Sequence, residues 1–250
     1  MKLAVIGDPI AHSRSPMLHR GFMSEADIDG SYVVIRVPAI NAVTVIRRLR
    51  MDGYTGCNVT YPLKEEAVLA CDTLTEEAER AQAVNTVFFG RDIVGTNTDG
   101  IGARTAIEAL VDEPVALKRI GVLGYGATAR AILAELHQCD AYAFVWGRDA
   151  KRVRAVCERF EAEPWPAENI PEIVVSTLPP DVRLPHGLVS DLLVPDLVID
   201  VNYGERATLM RQIDREIVAG DSMLEAQARA SFDFWLAHVE GIAAGEGASD

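Results

Sequence analysis

The stretch Lys118–Gln138, KRIGVLGYGATARAILAELHQ, decides how this 250-residue chain is read. RIGVLG (119–124) reads as a strand. Gly124-Tyr125-Gly126-Ala127-Thr128-Ala129 closes this strand, fits GxGxx(G/A) and opens a helix read over ATARAILAELHQ (127–138). Strand, glycine turn and helix in that order open a dinucleotide-binding unit. The glycines let a pyrophosphate approach the backbone, and the helix N-terminus meets its charge.

Downstream, YAFVW (142–146), EIVVST (172–177) and DLVIDV (196–201) read as further strands, with a helix over Ala150–Phe160. This is a nucleotide-binding type of α/β arrangement. The first of these strands ends at Gly147-Arg148-Asp149. Arg148 offers a guanidinium to a ribose 2′-phosphate and so favours NADP. Asp149 keeps NAD open, because it can neutralise Arg148 or take a ribose hydroxyl itself. Glu161–Pro171 and Leu178–Pro185 are turn-like segments inside this half.

Upstream, KLAVIG (2–7), YVVIRV (32–37) and YTGCNV (54–59) read as buried strands separated by amphipathic Pro16–Glu25 and Ala39–Met51. That rhythm predicts right-handed crossovers and a mostly parallel sheet. In AVNTVFFGRDIVGTNTD (83–99) two apolar runs flank Gly90-Arg91-Asp92, a hairpin pattern. A last helix is expected over Ser222–Glu240 with Phe232, Trp235 and Leu236 on its apolar face, followed by a frayed tail, AAGEGASD.

Composition excludes several classes. Hydrophobic residues make up 49% and charged residues 24%, which supports a sizeable core rather than disorder. With 37 acidic and 24 basic residues the formal charge is −13, which disfavours nucleic acid and anionic membranes as partners. No apolar run reaches the roughly 20 residues of a membrane span, and the N-terminus reads as a strand rather than a signal peptide. The four cysteines show no CxxC spacing, as expected of buried thiols in a reducing cytoplasm.

Other motifs carry candidate chemistry. In His12-Ser13-Arg14-Ser15-Pro16, Ser15 reads as a helix cap with Pro16 at the first helical position, and the two hydroxyls could also hold a carboxylate. His12 and His19 lack partners at ligand spacing, so no metal site is expected. Asn58 and Thr60 close an apolar strand at the rim where α/β sheets bind ligands. Lys64 reads as the start of a helix, where its charge opposes the dipole. Asp99 reads as a helix cap or as a carboxylate partner for Lys64.

Six motifs together, HSRSPMLH (12–19), GCNVTYPLKEEA (56–67), AVNT (83–86), GTNTDGIG (95–102), GYGATAR (124–130) and MLEAQARASFDFW (223–235), resemble the shikimate dehydrogenase family over nearly the whole chain. The resemblance implies a two-domain α/β fold: an N-terminal open α/β substrate domain plus a Rossmann-like dinucleotide-binding domain. Residues 1–99 would form the substrate and catalytic domain, with the C-terminal helix 221–242 packing back on it, and residues 100–220 the NADP domain. The active site is expected in the cleft between them, with a hinge near Gly100. The implied reaction is the reversible NADPH-dependent reduction of 3-dehydroshikimate to shikimate, a step of aromatic amino-acid biosynthesis, in the cytoplasm, by a monomer or homodimer.

By the same resemblance Ser13 and Ser15 hold the substrate carboxylate, and Lys64 and Asp99 form the catalytic pair. Asn58, Thr60, Asn85, Tyr203 and Gln227 meet the substrate. Gly124, Gly126, Ala127, Thr128, Arg148, Thr177 and Gly220 meet NADP. Three places depart from the family pattern: Tyr125 and Thr128 replace smaller residues, Gly147-Arg148-Asp149 replaces Asn-Arg-Thr, and the usual Pro after Tyr203 is missing. The alternatives are a quinate/shikimate dehydrogenase and a non-catalytic ligand sensor of the same fold.

Overall fold

The computed structural model describes residues 1–246, apart from 167, 169 and 181, and their side chains except those of 210 and 242–246. The chain divides into two units, Met1–Thr98 with Gln227–Asp250, and Asp99–Ala226.

The first unit holds β1 (Lys2–Gly7), α1 (Ser15–Glu25), β2 (Ser31–Arg36), α2 (Ala42–Met51), β3 (Gly56–Val59), β4 (Thr73–Leu74), α3 (Glu76–Ala81), β5 (Thr86–Phe89) and β6 (Ile93–Thr96). The strand order is β2-β1-β3-β5-β6-β4. β1 runs parallel to β2 and β3, whereas β5 is antiparallel to both β3 and β6. The sheet is mostly parallel, as expected, and among its described strands only β5 departs from the common direction. The short link between Phe89 and Ile93 allows only a hairpin, so β5 and β6 run antiparallel. The second strand departs from expectation. It lies at the sheet edge, with Val33 and Val34 exposed.

Apolar residues cover both faces of this sheet. Ile6, Ile46, Val59 and Leu63 pack on one side, and Leu3, Val5, Phe22, Tyr32, Phe232 and Trp235 on the other. Trp235 is wholly buried, and its indole N–H donates to the Val87 carbonyl at 2.9 Å.

The second unit holds α4 (Asp99–Val111), β7 (Arg119–Leu123), α5 (Ala127–Gln138), β8 (Tyr142–Trp146), α6 (Ala150–Phe160), β9 (Glu163–Pro164), β10 (Ile173–Ser176), α7 (His186–Asp191), β11 (Leu197–Asp200) and β12 (Val218–Ala219). The sheet order β12-β11-β10-β7-β8-β9 is parallel throughout. Ile120, Val122, Ile132, Leu133, Val145 and Val175 form much of its core.

α8 (Asp221–Glu246) belongs to both units. Met223 packs in the second unit's core, and Ala228, Phe232 and Trp235 pack in the first. The helix continues past the residue at which the frayed tail was expected to begin, and 247–250 lie outside the described residues. No described helix is long and apolar enough to cross a membrane.

Candidate active site

In the first unit the candidate residues converge on one edge of the sheet. Ile6 pairs with Val59, Asn58 with Thr86, and Thr86 with Thr96. The loops after β1, β3 and β6 and the segment before β5 therefore leave the sheet side by side. They carry Ser13, Thr60, Lys64, Asn85 and Asn97-Thr98. Backbone bonds stitch the row: the Thr60 N–H donates to Ile6, Val59 to Asn85, and Asn85 to Thr96. The Val84 N–H donates to the Lys64 carbonyl at 2.8 Å, placing the lysine segment beside that of Asn85.

Two local readings are corrected here. Ser15 is the first residue of α1 rather than its cap. Arg14 holds the cap position without a side-chain bond, and Ser13 Oγ instead accepts the Ser15 N–H at 3.3 Å. Ser15 is buried at 7% exposure. Lys64 does not start an α-helix. It lies in the turn before a five-residue 3-10 helix, Glu66–Ala70, so the argument from an opposed dipole lapses while the lysine keeps its place at the rim.

Behind the rim lies a buried polar network that the sequence reading did not anticipate. The Tyr32 hydroxyl donates to Asn58 Oδ1 at 2.6 Å, and Asn58 Nδ2 donates to Thr86 Oγ1 and Ser231 Oγ, each at 3.1 Å. Ser231 Oγ also lies 2.7 Å from Thr86 Oγ1 and 3.0 Å from Thr98 Oγ1. Asn85 Oδ1 accepts the Thr98 N–H and the Thr86 hydroxyl, each at 2.9 Å. The Asn85 amide donates to Thr98 Oγ1 at 2.9 Å and reaches Gln227 Oε1 at 3.4 Å.

Asn85 and Gln227 are thus brought together. Asn58, the residue expected at a substrate hydroxyl, joins the network through its carbonyl and amide, because strand alternation points it at α8. Ser231 lies four residues after Gln227 on the same helical face, and its hydroxyl donates to the Gln227 carbonyl at 2.9 Å. His19 stacks on Tyr32 with ring centroids 4.7 Å apart. Burial holds its pKa down at about 3, so the ring is neutral.

In the second unit the candidates also share one edge. Leu123 pairs with Trp146 and Ser176, Ser176 with Asp200, and Asp200 with Ala219. Gly124, Gly147-Arg148, Thr177, Tyr203 and Gly220 follow the strand ends in the same order, where parallel sheets bind their ligands. Gly124 has φ +118°, and a Cβ on it would strike the Thr177 hydroxyl. Only glycine closes this turn. Gly126 caps α5 without a side chain, which leaves the helix start suited to a phosphate. Gly220 packs against the Val201 backbone.

The acid at the tip of β8 is committed elsewhere. Asp149 caps α6, its Oδ1 accepting the N–H groups of Lys151 at 2.9 Å and Arg152 at 3.2 Å. Arg148 is exposed beside it. The loop after Tyr203 is organised by buried Asp200, which accepts bonds from the Asn202 backbone and side chain and from the Leu209 N–H. Burial pushes the Asp200 carboxyl up. Asp99 begins α4 at 4% exposure and accepts the Thr128 hydroxyl at 3.1 Å. Among the described residues, no group of three or more His, Cys, Asp or Glu could hold a metal ion.

The chain matches known proteins along most of its length. Residues 5–87 match the family model described as shikimate dehydrogenase substrate binding domain. A shikimate dehydrogenase (NADP(+)) of Hydrogenovibrio crunogenus is 33% identical over 93% of this chain and 91% of its own. One from Jannaschia sp. is 34% identical over 93% and 90%. The shikimate 5-dehydrogenase of Thermus thermophilus, solved with NADP(H) and shikimate, superposes with a TM-score of 0.80 at 28% identity, covering 94% of this chain and 93% of that one. An Ael1 enzyme from Pseudomonas putida superposes at 0.83 with 27% identity over 94% and 92%. Identity above 30% across more than nine-tenths of the chain means that this chain belongs to the shikimate dehydrogenase family.

Proposed function

We propose that the chain interconverts shikimate and 3-dehydroshikimate as an NADP-dependent oxidoreductase. The observation that carries this reading is the rim of the first sheet, where hydroxyl, amide and ammonium groups converge on a framework of buried hydrogen bonds. Such a rim suits a small, polyhydroxylated carboxylate. Ser13 and Ser15 hold the carboxylate, and Thr60, Asn85, Gln227 and Tyr203 meet the ring hydroxyls. Asn58 supports them from behind. The domain roles follow: residues 1–99 with the C-terminal helix take the substrate, and 100–220 take the cofactor.

The second unit's residues fit a phosphorylated dinucleotide. Gly124, Gly126, Ala127 and the backbone of Thr128 form the pyrophosphate turn, beside Thr177 and Gly220. Arg148 takes the 2′-phosphate, and Asp149 is withdrawn into a cap. When bound, NADP supplies the hydride acceptor or donor. Lys64 and Asp99 handle the proton of the reacting hydroxyl. Lys64 takes it as the alcohol is oxidised and returns it on reduction, where its charge also stabilises negative charge growing on the ketone oxygen. Asp99 is the second member of this catalytic pair. We place the enzyme in the cytoplasm as a monomer or homodimer, where its net charge of −13 disfavours nucleic-acid and membrane partners.

The test is nicotinamide absorbance with shikimate, and with quinate as the competitor, using wild type and Lys64→Met. The variant should lose about 10²–10⁴-fold in kcat while still binding shikimate and NADP. Near-full kcat in Lys64→Met overturns the proton-transfer role, and faster turnover of quinate overturns the substrate.

A further inference from the structure

We propose that Thr128 is a positioning residue for Asp99, aiming the carboxylate from the first turn of the helix that follows the glycine loop. The inference rests on the reading of Asp99 as a catalytic residue. Thr128 Oγ1 donates to Asp99 Oδ2 at 3.1 Å, and Asp99 is 4% exposed.

The helices that carry the two groups are locked in register. A Cβ on Gly100 would stand 2.5 Å from the Ala131 carbonyl oxygen, so α4 and α5 touch backbone to backbone just beyond Asp99. One turn further, Arg104 Nε meets Glu135 Oε1 at 2.6 Å. The pairs 99/128, 100/131 and 104/135 advance together along both helices. They leave the first turn of α5 little freedom to slide against the start of α4.

Hydroxyl chemistry separates this role from cofactor binding. A threonine hydroxyl has one proton to donate. Phosphate oxygens and carboxylates are both acceptors, so a hydroxyl committed to Asp99 has no proton left for a pyrophosphate. The side chain of Thr128 therefore serves the carboxylate, and only the backbone of the turn serves the phosphate. A β-branched side chain is restricted at χ1, which helps keep this direction. The Thr128–Asp99 hydrogen bond joins the cofactor turn to the proton-handling group.

The experiment compares wild type, Thr128→Val, Thr128→Ala, Thr128→Ser, Asp99→Asn and the Thr128→Val/Asp99→Asn double variant. Calorimetry gives the Kd for NADP, and steady-state rates give kcat and KM for shikimate. Thr128→Val removes the donor at nearly constant volume and should lower kcat about tenfold, the loss expected for one hydrogen bond to a charged group. The Kd for NADP should stay within about twofold, because the turn's backbone is kept. Thr128→Ala, a smaller side chain less prone to strain, should behave alike, and Thr128→Ser should restore kcat. Thr128→Val should add nothing to Asp99→Asn. Unchanged kcat in Thr128→Val and Thr128→Ala overturns the proposal, as does a loss of kcat that follows a weakened Kd for NADP. Full kcat in Asp99→Asn overturns instead the reading of Asp99 on which it rests.

Discussion

The ring of Tyr125 fills the space in front of Gly147: a Cβ on Gly147 would stand 2.5 Å from the ring Cδ1 and 2.6 Å from Cε1. The Arg152 guanidinium lies 5.7 Å from the ring centroid on α6. A bulky residue in the glycine turn and a missing side chain at the next strand tip are thus one compensated pair. Gly147→Ala should destabilise the protein by about 1–3 kcal/mol, because it drives the ring outward. Adding Tyr125→Ala should recover part of that loss. Urea unfolding of the two single variants and the double variant measures the coupling, and strictly additive effects would disprove it.

Ser15→Ala should raise KM for shikimate about tenfold, since a charge-assisted bond contributes about 1.5–3 kcal/mol. Stability should change by less than about 1 kcal/mol, because Ser15 does not cap α1. Steady-state kinetics and a denaturant midpoint on the same preparation check both halves. An unchanged KM removes Ser15 from the carboxylate site.

His19 makes stability depend on acid. Its folded pKa, about 3 through burial, lies below the ordinary 6.5. Between those values the unfolded chain binds a proton that the folded one refuses, so stability falls as pH drops from 6.5 toward 3. The loss runs at about 1.4 kcal/mol per pH unit. His19→Phe removes the term. Its unfolding free energy should fall about 2 kcal/mol less than that of wild type between pH 6.5 and pH 5. Parallel curves for the two proteins would rule this out.

Arg148 and Asp149, adjacent in sequence, should separate cleanly in function. Arg148→Ala should weaken NADP much more than NAD. Asp149→Ala should cost about 1 kcal/mol of stability as a lost cap and leave the ratio of the two affinities unchanged. Equal losses for both cofactors in Arg148→Ala would deny it the 2′-phosphate, and a switched preference in Asp149→Ala would return the acid to the ribose.

What the sequence made legible was chemistry held within a few residues. The turn at Gly124, the hairpin about Gly90 and the guanidinium at the tip of β8 are all local patterns, and each stands in the structure where its pattern placed it. The readings that shifted depend on neighbours in space. YVVIRV looks like a buried strand until the sheet order puts it at an edge. Ser15 looks like a cap until the loop geometry gives that work to Ser13 and the cap position to Arg14. Asn58 and Ser231 are 173 residues apart, so no periodicity links them, and a lone serine on an apolar helix face carries no message by itself.

The first unit takes its chain from two places, and the second is made in between. A ribosome releases the chain from its N-terminus, so Met1–Thr98 emerges first and Gln227 onward last. Until then the groove over Gly56, where a Cβ would strike the Trp235 indole, has nothing in it, and Asn58, Thr86 and Thr98 lack the Ser231 hydroxyl. The unit that begins synthesis first is therefore completed second, and during translation its early half is the part with most need of protection from aggregation.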